Sequence, residues 1–241
     1  MLSQLRYLGR SLLDFVYPAH CLACGTAVAD AGDALCAACW DEILTVRPVR
    51  CGRCCCPLQA PAPSCVNCAS WDPGLERAVV LSPFAGAVQE AIHAVKFRQQ
   101  PALGCELGRR FARAPRLAAI LREVDLLIPV PLHPARRRER GYNQSLHIAT
   151  GLAEVLGLPV CPQLLRRRRP TRQQTRLDAD ERRRNLRGAF EVTAELPAHT
   201  CIGVVDDVVT TAATLAACAQ ALGQAGARRV WGVALACPFQ S

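Results

Sequence analysis

The sequence predicts an α/β fold, a mostly parallel sheet flanked by helices, preceded by a small cysteine-rich module. Three observations predict it. Apolar runs alternate with helical stretches from about Gly74 onward. Those runs are nearly continuous rather than alternating, as strands buried on both faces require. Ten of the fifteen cysteines crowd between Cys21 and Cys68, a segment short of long periodic stretches.

The elements follow in order. Residues 1–16 carry leucines at helical spacing (Leu2, Leu5, Leu8, Leu12), interrupted by Arg6, Arg10 and Asp14. That pattern reads as a short amphipathic helix and not as a secretory signal. Residues 17–72 form the cysteine-rich module, and 73–241 the α/β domain. Within the latter, "ERAVVLSPF" reads as a strand and "GAVQEAIHAVKFRQ" as a helix. "GCELGRRFARA" and "RLAAILREV" read as helical pieces, "DLLIPVPL" as a strand and "NQSLHIATGLAEVLG" as a helix. "PVCPQLLRR" is expected as a strand and 166–188 as a basic connection without structure. "GAFEVT", "TCIGVVDDVV" and "RRVWGVALAC" complete the strands, with "TLAACAQALGQAG" as the last helix.

Apolar residues make up 51% of the chain, enough for a packed core. No apolar run reaches the roughly 20 residues that span a bilayer, so the expectation is a cytoplasmic protein with no membrane span. The formal charge is +9, and residues 136–187 hold fourteen arginines against five acids. The basic charge therefore sits in one segment, a pattern suited to phosphate or nucleic acid.

Cys21, Cys24, Cys36 and Cys39 read C-x2-C-x11-C-x2-C, and Cys51, Cys54, Cys65 and Cys68 read C-x2-C-x10-C-x2-C. Each CxxC turn aims two thiolates at one ion, and a second pair completes a tetrahedral shell, with Zn2+ the usual metal. One or two structural zinc sites are expected. Sequential pairing is the simplest arrangement, and an interleaved one satisfies the same chemistry. Cys55 and Cys56 are alternative ligands, and His20 a weaker one. The other five cysteines (Cys105, Cys161, Cys201, Cys218, Cys237) read as small core residues.

Asp206 and Asp207 close the apolar run Ile202–Val205, where parallel α/β sheets bind ligands. Adjacent carboxylates on an extended chain point different ways, so they suit a ribose diol better than an acid–base dyad. The following loop (Val208, Val209, Thr210, Thr211, Ala212, Ala213) leads through Thr214 into a helix. The first N–H groups of a helix lack internal partners and favour an anion. A sugar phosphate satisfies both halves, with the 5′-phosphate in the loop. Gly203, inside the strand, suggests a close backbone approach.

"VVDDVVTTAATL" resembles the phosphoribosyl-pyrophosphate (PRPP) signature of type I phosphoribosyltransferases. Ala212 stands where that signature usually has Gly, a change a backbone cradle tolerates if φ stays negative. The tandem CxxC module, "FAGAVQEAIHAVKF", "IPVPLHPARRRERGYNQS", "QTRLDADERRRNLRGAF" and "VVDDVVTT" occur in the order seen in the ComF competence protein family. Cys55 departs from it, since that family more often has Gly there. The resemblance implies a type I phosphoribosyltransferase-like domain behind a double zinc ribbon. It implies PRPP bound with Mg2+, and Val130, Pro131, Leu132 and His133 as a pyrophosphate loop. It implies Asp206 and Asp207 as the catalytic pair that orients the ribose, and 166–185 as a mobile hood. Lys96, the only lysine, matches a family lysine at a helix end. His133 is the histidine most worth testing. The implied biology is DNA uptake in natural transformation, with single-stranded DNA and the competence machinery as partners. Three functions fit: a transferase acting on PRPP with an unidentified acceptor, a PRPP-sensing regulator, and a DNA-binding competence factor. Aromatic residues for stacking bases are few, which lowers the case for tight direct single-strand binding.

Overall fold

The computed structural model describes residues 19–28, 32–45, 49–56, 74–169, 188–198 and 200–238, with single positions 58, 62, 65, 68, 71 and 186. The helix expected over 1–16 and most of the hood lie outside these residues.

Four strands form one parallel sheet: β1 (Arg77–Pro83), β2 (Leu126–Pro129), β5 (Cys201–Val208) and β6 (Arg229–Cys237). Their order is β1-β6-β5-β2. Pairing runs from Arg77 opposite Trp231, through Ile202 opposite Val230, to Leu126 opposite Ile202. Nearly every strand residue is buried, which is why the sequence shows unbroken Val, Ile, Leu and Ala instead of alternation.

Helices α2 (Gly86–Phe97), α3 (Pro101–Arg113), α4 (Pro115–Leu121) and α6 (Gln144–Leu156) cover one face. They pack on Val79, Leu127, Val205, Val233 and Leu235. The other face, with Val80, Ile128, Ile202, Val204 and Ala234, is covered by α7 (Ala213–Gln224), a hairpin and the second cysteine cluster. Helices α3 and α6 touch almost backbone to backbone. A Cβ on Gly151 would stand 1.9 Å from the Cys105 carbonyl oxygen, and one on Gly108 2.2 Å from that of Ile148.

Three local differences from the sequence reading have physical causes. "PVCPQLLRR" is two pieces rather than one strand. Val160 makes a single parallel bridge to Leu127, Pro162 has no N–H to continue a ladder, and the chain turns. It then forms β3 (Leu165–Arg167), which pairs antiparallel with β4 (Phe190–Val192). A helix absent from the reading, α5 (Pro134–Arg140), buries no residue and so left no apolar period. Its boundaries were nonetheless marked by Pro134 at the first position and Gly141, at φ 83°, after the last. The cysteine module likewise contains a helix the reading did not name, α1 (Ala37–Leu44), which begins right after Cys36 and carries Cys39.

Candidate functional site

Two clusters of four thiols form in the cysteine module, Cys21/Cys24/Cys36/Cys39 and Cys51/Cys54/Cys65/Cys68. Within each, all four sulfurs lie within 4.8 Å of one another. The closest approaches are 3.7 Å for Cys24 to Cys36 and 3.5 Å for both Cys51 to Cys68 and Cys54 to Cys65. Four sulfurs about 2.3 Å from one zinc ion form a tetrahedron with edges of about 3.8 Å. The donor sets therefore fit structural Zn2+, and the sequential pairing is the one formed. Burial pushes the Cys68 thiol up to about 12, so taking up a metal there must expel protons.

The alternative ligands go elsewhere. The Cys56 sulfur meets that of Cys237, with Cα atoms 6.6 Å apart, linking the second ribbon to the end of β6. Cys55 is buried at φ 57° beside Arg77. His20 makes a β-bridge to Ala27. Of the five scattered cysteines, Cys201, Cys218 and Cys237 are core residues, whereas Cys105 and Cys161 are only half-buried.

The second constellation lies at the C-terminal ends of the parallel strands. Strand β5 runs through both aspartates to Val208, within the strand read from "TCIGVVDDVV". Alternation along the strand points the two side chains apart, yet both reach the same helical layer, Asp206 at Ser145 of α6 and Asp207 at Lys96 of α2. Asp207 is 5% exposed, and its Oδ1 is 2.9 Å from Lys96 Nζ at the end of α2. Its Oδ2 is buried with no hydrogen-bond partner among the described residues. Asp206 Oδ1 accepts from the Ser145 hydroxyl at 3.1 Å and from the Asp207 N–H at 2.9 Å. Burial, reinforced by the neighbouring Asp207 charge, pushes the Asp206 carboxyl up to about 7.

Ser145 and Asn143 were not among the sequence candidates. Asn143 caps α6, its Oδ1 accepting from the Ser145 N–H at 3.1 Å. Its Nδ2 donates to the Val130 carbonyl at 3.0 Å. One residue thus ties the helix carrying Ser145 to the loop after β2. Asn before an apolar helix is the capping signal that marks this position in the sequence.

The loop after β5 is shorter than expected. The Val209 N–H still bonds the Ala236 carbonyl, so the turn proper is Thr210–Ala212. Thr210 is exposed, Thr211 and Thr214 half-buried, and Ala212 and Ala213 buried. Ala212 takes φ 55°, ψ 8°, so the condition of a negative φ, under which alanine would replace glycine without strain, is not met. The turn into α7 needs the left-handed region, where glycine is the natural residue. The N-cap residue of α7, Ala212, makes no side-chain cap. Gly203 also has a different reason: a Cβ there would meet the Leu127 and Val124 side chains at 2.8 and 3.0 Å, not a nearby backbone.

The segment Val130–His133 leads from β2 into α5. The Val130 N–H bonds the Val205 carbonyl. His133 caps α5, its Nδ1 accepting from the Ala135 N–H at 3.3 Å. Pro131 and Leu132 line an open groove of about 810 Å³, together with Arg137, Arg138, Arg166 and Arg167. Arg167 lies in the field of Asp206, while burial lowers its own pKa. Arg140 turns away, bonding Gln144 at 2.6 Å and standing over Phe97.

Together these features define a class: a parallel α/β domain with an acidic strand end and a basic groove, joined to two four-cysteine clusters that fit a metal ion. The double zinc ribbon domain family matches residues 12–69. Competence protein F of Haemophilus influenzae is 31% identical over 225 residues, covering 90% of this chain and 97% of that protein. DNA utilization protein YhgH of Salmonella typhimurium is 32% identical over 217 residues, covering 88% of this chain and 94% of that protein. YhgH of Escherichia coli K12 is 29% identical over 216 residues, with the same shares. The chain belongs to the ComF/YhgH family of competence proteins. Among the described residues, no helix is long and apolar enough to cross a membrane.

Proposed function

We propose that the 73–241 domain is a type I phosphoribosyltransferase-like unit that binds PRPP at the C-terminal end of β5 and acts, in the cytoplasm, in DNA uptake. The observation that carries this reading is the placement of Asp206 and Asp207 on β5, with Asp207 five residues before Ala212, the left-handed entry to α7. The ribose 2′- and 3′-hydroxyls donate to the two carboxylates, and Asp207 Oδ2, buried and without a described partner, fits such a donor. The 5′-phosphate sits on the backbone of Thr210–Ala213 at the start of α7. The pyrophosphate faces the Val130–His133 loop and the groove arginines, whose planar forks suit phosphate oxygens.

Carboxylate oxygens and phosphate oxygens are the hard donors that Mg2+ takes, so this donor set fits a PRPP–Mg2+ complex. When bound, Mg2+ supplies charge neutralisation at the pyrophosphate. The chain's own part is positioning and electrostatics. Asp206 and Asp207 hold the sugar and stabilise positive charge developing on its ring as pyrophosphate departs. Lys96 pairs with Asp207 at 2.9 Å and aims it, which makes it a positioning residue. Isothermal titration with PRPP and Mg2+ tests the binding half: saturable binding is expected, and Asp206→Asn/Asp207→Asn should abolish it. Binding that is absent, or unaltered in the double variant, removes the reading. Pyrophosphate release across candidate nitrogen acceptors then separates a transferase from a PRPP sensor.

A second reading, single-stranded DNA binding, is favoured by one feature, the arginine-lined groove. The relatives' names point to competence and DNA utilization, and partners from the competence machinery belong to the same proposal. Single-strand affinity falls with salt by about 0.7 log units per log unit for each phosphate contact. The slope should flatten in Arg137→Gln/Arg138→Gln. A salt-independent affinity argues against the groove.

A further inference from the structure

Away from the strand ends, a smaller cavity of about 100 Å³ lies along the outer edge of β1, two strands away from β5. Arg50, Arg77 and Arg116 line it, with Leu117, Cys55 and the metal-cluster thiol Cys51, and no carboxylate is among its described lining residues. The three cations come from three different units. Arg50 precedes the third CxxC pair, Arg77 opens β1, and Arg116 stands on α4. Arg50 is held rigidly, its guanidinium donating to the carbonyls of Cys55, Val80 and Leu81 at 2.6–2.8 Å. Arg77 has a buried Nε with no hydrogen-bond partner among the described residues.

We propose that Arg50, Arg77 and Arg116 form a site for a free tetrahedral oxyanion, phosphate or sulfate, that ties the second ribbon to the open edge of the sheet. Size supports the class. The cavity, about 100 Å³, has room for one such ion. Chemistry supports it as well, because several guanidiniums around one small oxyanion give short, charge-assisted hydrogen bonds. The site stands on a different strand from the aspartates and uses none of the groove arginines, so it is independent of PRPP binding.

Thermal melting of the full, zinc-loaded chain in sodium phosphate, against sodium chloride at matched ionic strength, tests it. A ligand that binds only the folded form raises the melting temperature by mass action. Phosphate and sulfate should each raise it by several degrees, and Arg77→Gln/Arg116→Gln should lose at least half that gain. Arg50 is left in place, because its substitution also breaks three backbone contacts. Asp206→Asn/Asp207→Asn and Arg137→Gln/Arg138→Gln should keep the gain. No gain in the wild-type chain, an unchanged gain in Arg77→Gln/Arg116→Gln, or loss of the gain in the groove or aspartate variants overturns the proposal. Adenosine monophosphate should give no gain that Arg77→Gln/Arg116→Gln removes; one that it does remove overturns the assignment to a free ion.

Discussion

Asp206 and Asp207 are neighbours in sequence and opposites in surroundings. Asp207 is ion-paired with Lys96, whereas Asp206 makes hydrogen bonds beside the Asp207 charge and feels Lys96 and Arg167 only at longer range. Asp206 therefore titrates near 7 in the folded chain, well above the roughly 3.9 of an unfolded aspartate. A carboxyl whose folded pKa is raised contributes stability that is fully present below the unfolded value and lost as pH rises through the folded one. Between pH 6 and 8 the wild-type chain should lose stability relative to Asp206→Asn, read from denaturant midpoints. A flat difference between the two would contradict the placement of Asp206. Over the same range PRPP affinity should rise, since the ionised carboxylate is the better hydroxyl acceptor. Lys96→Met should destabilise by about 1–3 kcal/mol, because it strands a buried carboxylate. Ala212→Gly trades relief of a left-handed alanine, about 1–2 kcal/mol, against the added freedom of glycine, about 0.5–1 kcal/mol. The expected net is a small gain in unfolding free energy; a loss would speak against φ 55° at that residue.

At the scale of elements, the contact between α3 and α6 is the least tolerant feature. Gly151→Ala would push a methyl into the Cys105 carbonyl, and backbone on both sides leaves nothing flexible to yield. A loss of about 1–3 kcal/mol is expected, with the helices forced apart. Helix α6 carries Asn143 and Ser145 at its start, so the same substitution should also weaken PRPP binding. A Gly151→Ala chain with unchanged stability would show that the helices are not in backbone contact. Strand positions were legible because burial on both faces leaves an unmistakable apolar run. Helix α5 was not, since it has no buried face, and periodicity reports only burial. The same limit split "PVCPQLLRR", whose apolar residues serve a bridge to Leu127 and a separate hairpin.

For the molecule as a whole, metal content is tied to the body's stability. Cys51, Cys54, Cys65 and Cys68 share a packed cluster with Trp71, Leu75, Ala78 and Val80. The first ribbon reaches the body through Glu42, which accepts from the Ala87 N–H at 2.9 Å, and Trp40, under the Arg110 guanidinium. Chelation should release two zinc ions per chain, measured with a colorimetric zinc indicator. It should also lower the melting temperature of the entire domain, because exposing this cluster opens the sheet. A separate low-temperature transition that leaves the sheet's melting unchanged would mean the ribbons are independent. Acid should release the metal as well, since protons and zinc compete for the same sulfurs.

The sequence by itself determined the composition of each site: eight thiols in four CxxC pairs, two aspartates ending an apolar run, and arginines concentrated between 136 and 187. Such patterns are local, and local chemistry is written residue by residue. Tertiary structure alone decided which groups meet. It placed Lys96 on Asp207, Ser145 on Asp206 across 61 positions, and Arg50 with Arg77 and Arg116 around one cavity. It also turned Ala212 left-handed and brought Cys56 to Cys237. Contacts between distant residues depend on how strands order and helices pack, and periodicity along a chain carries no record of that order.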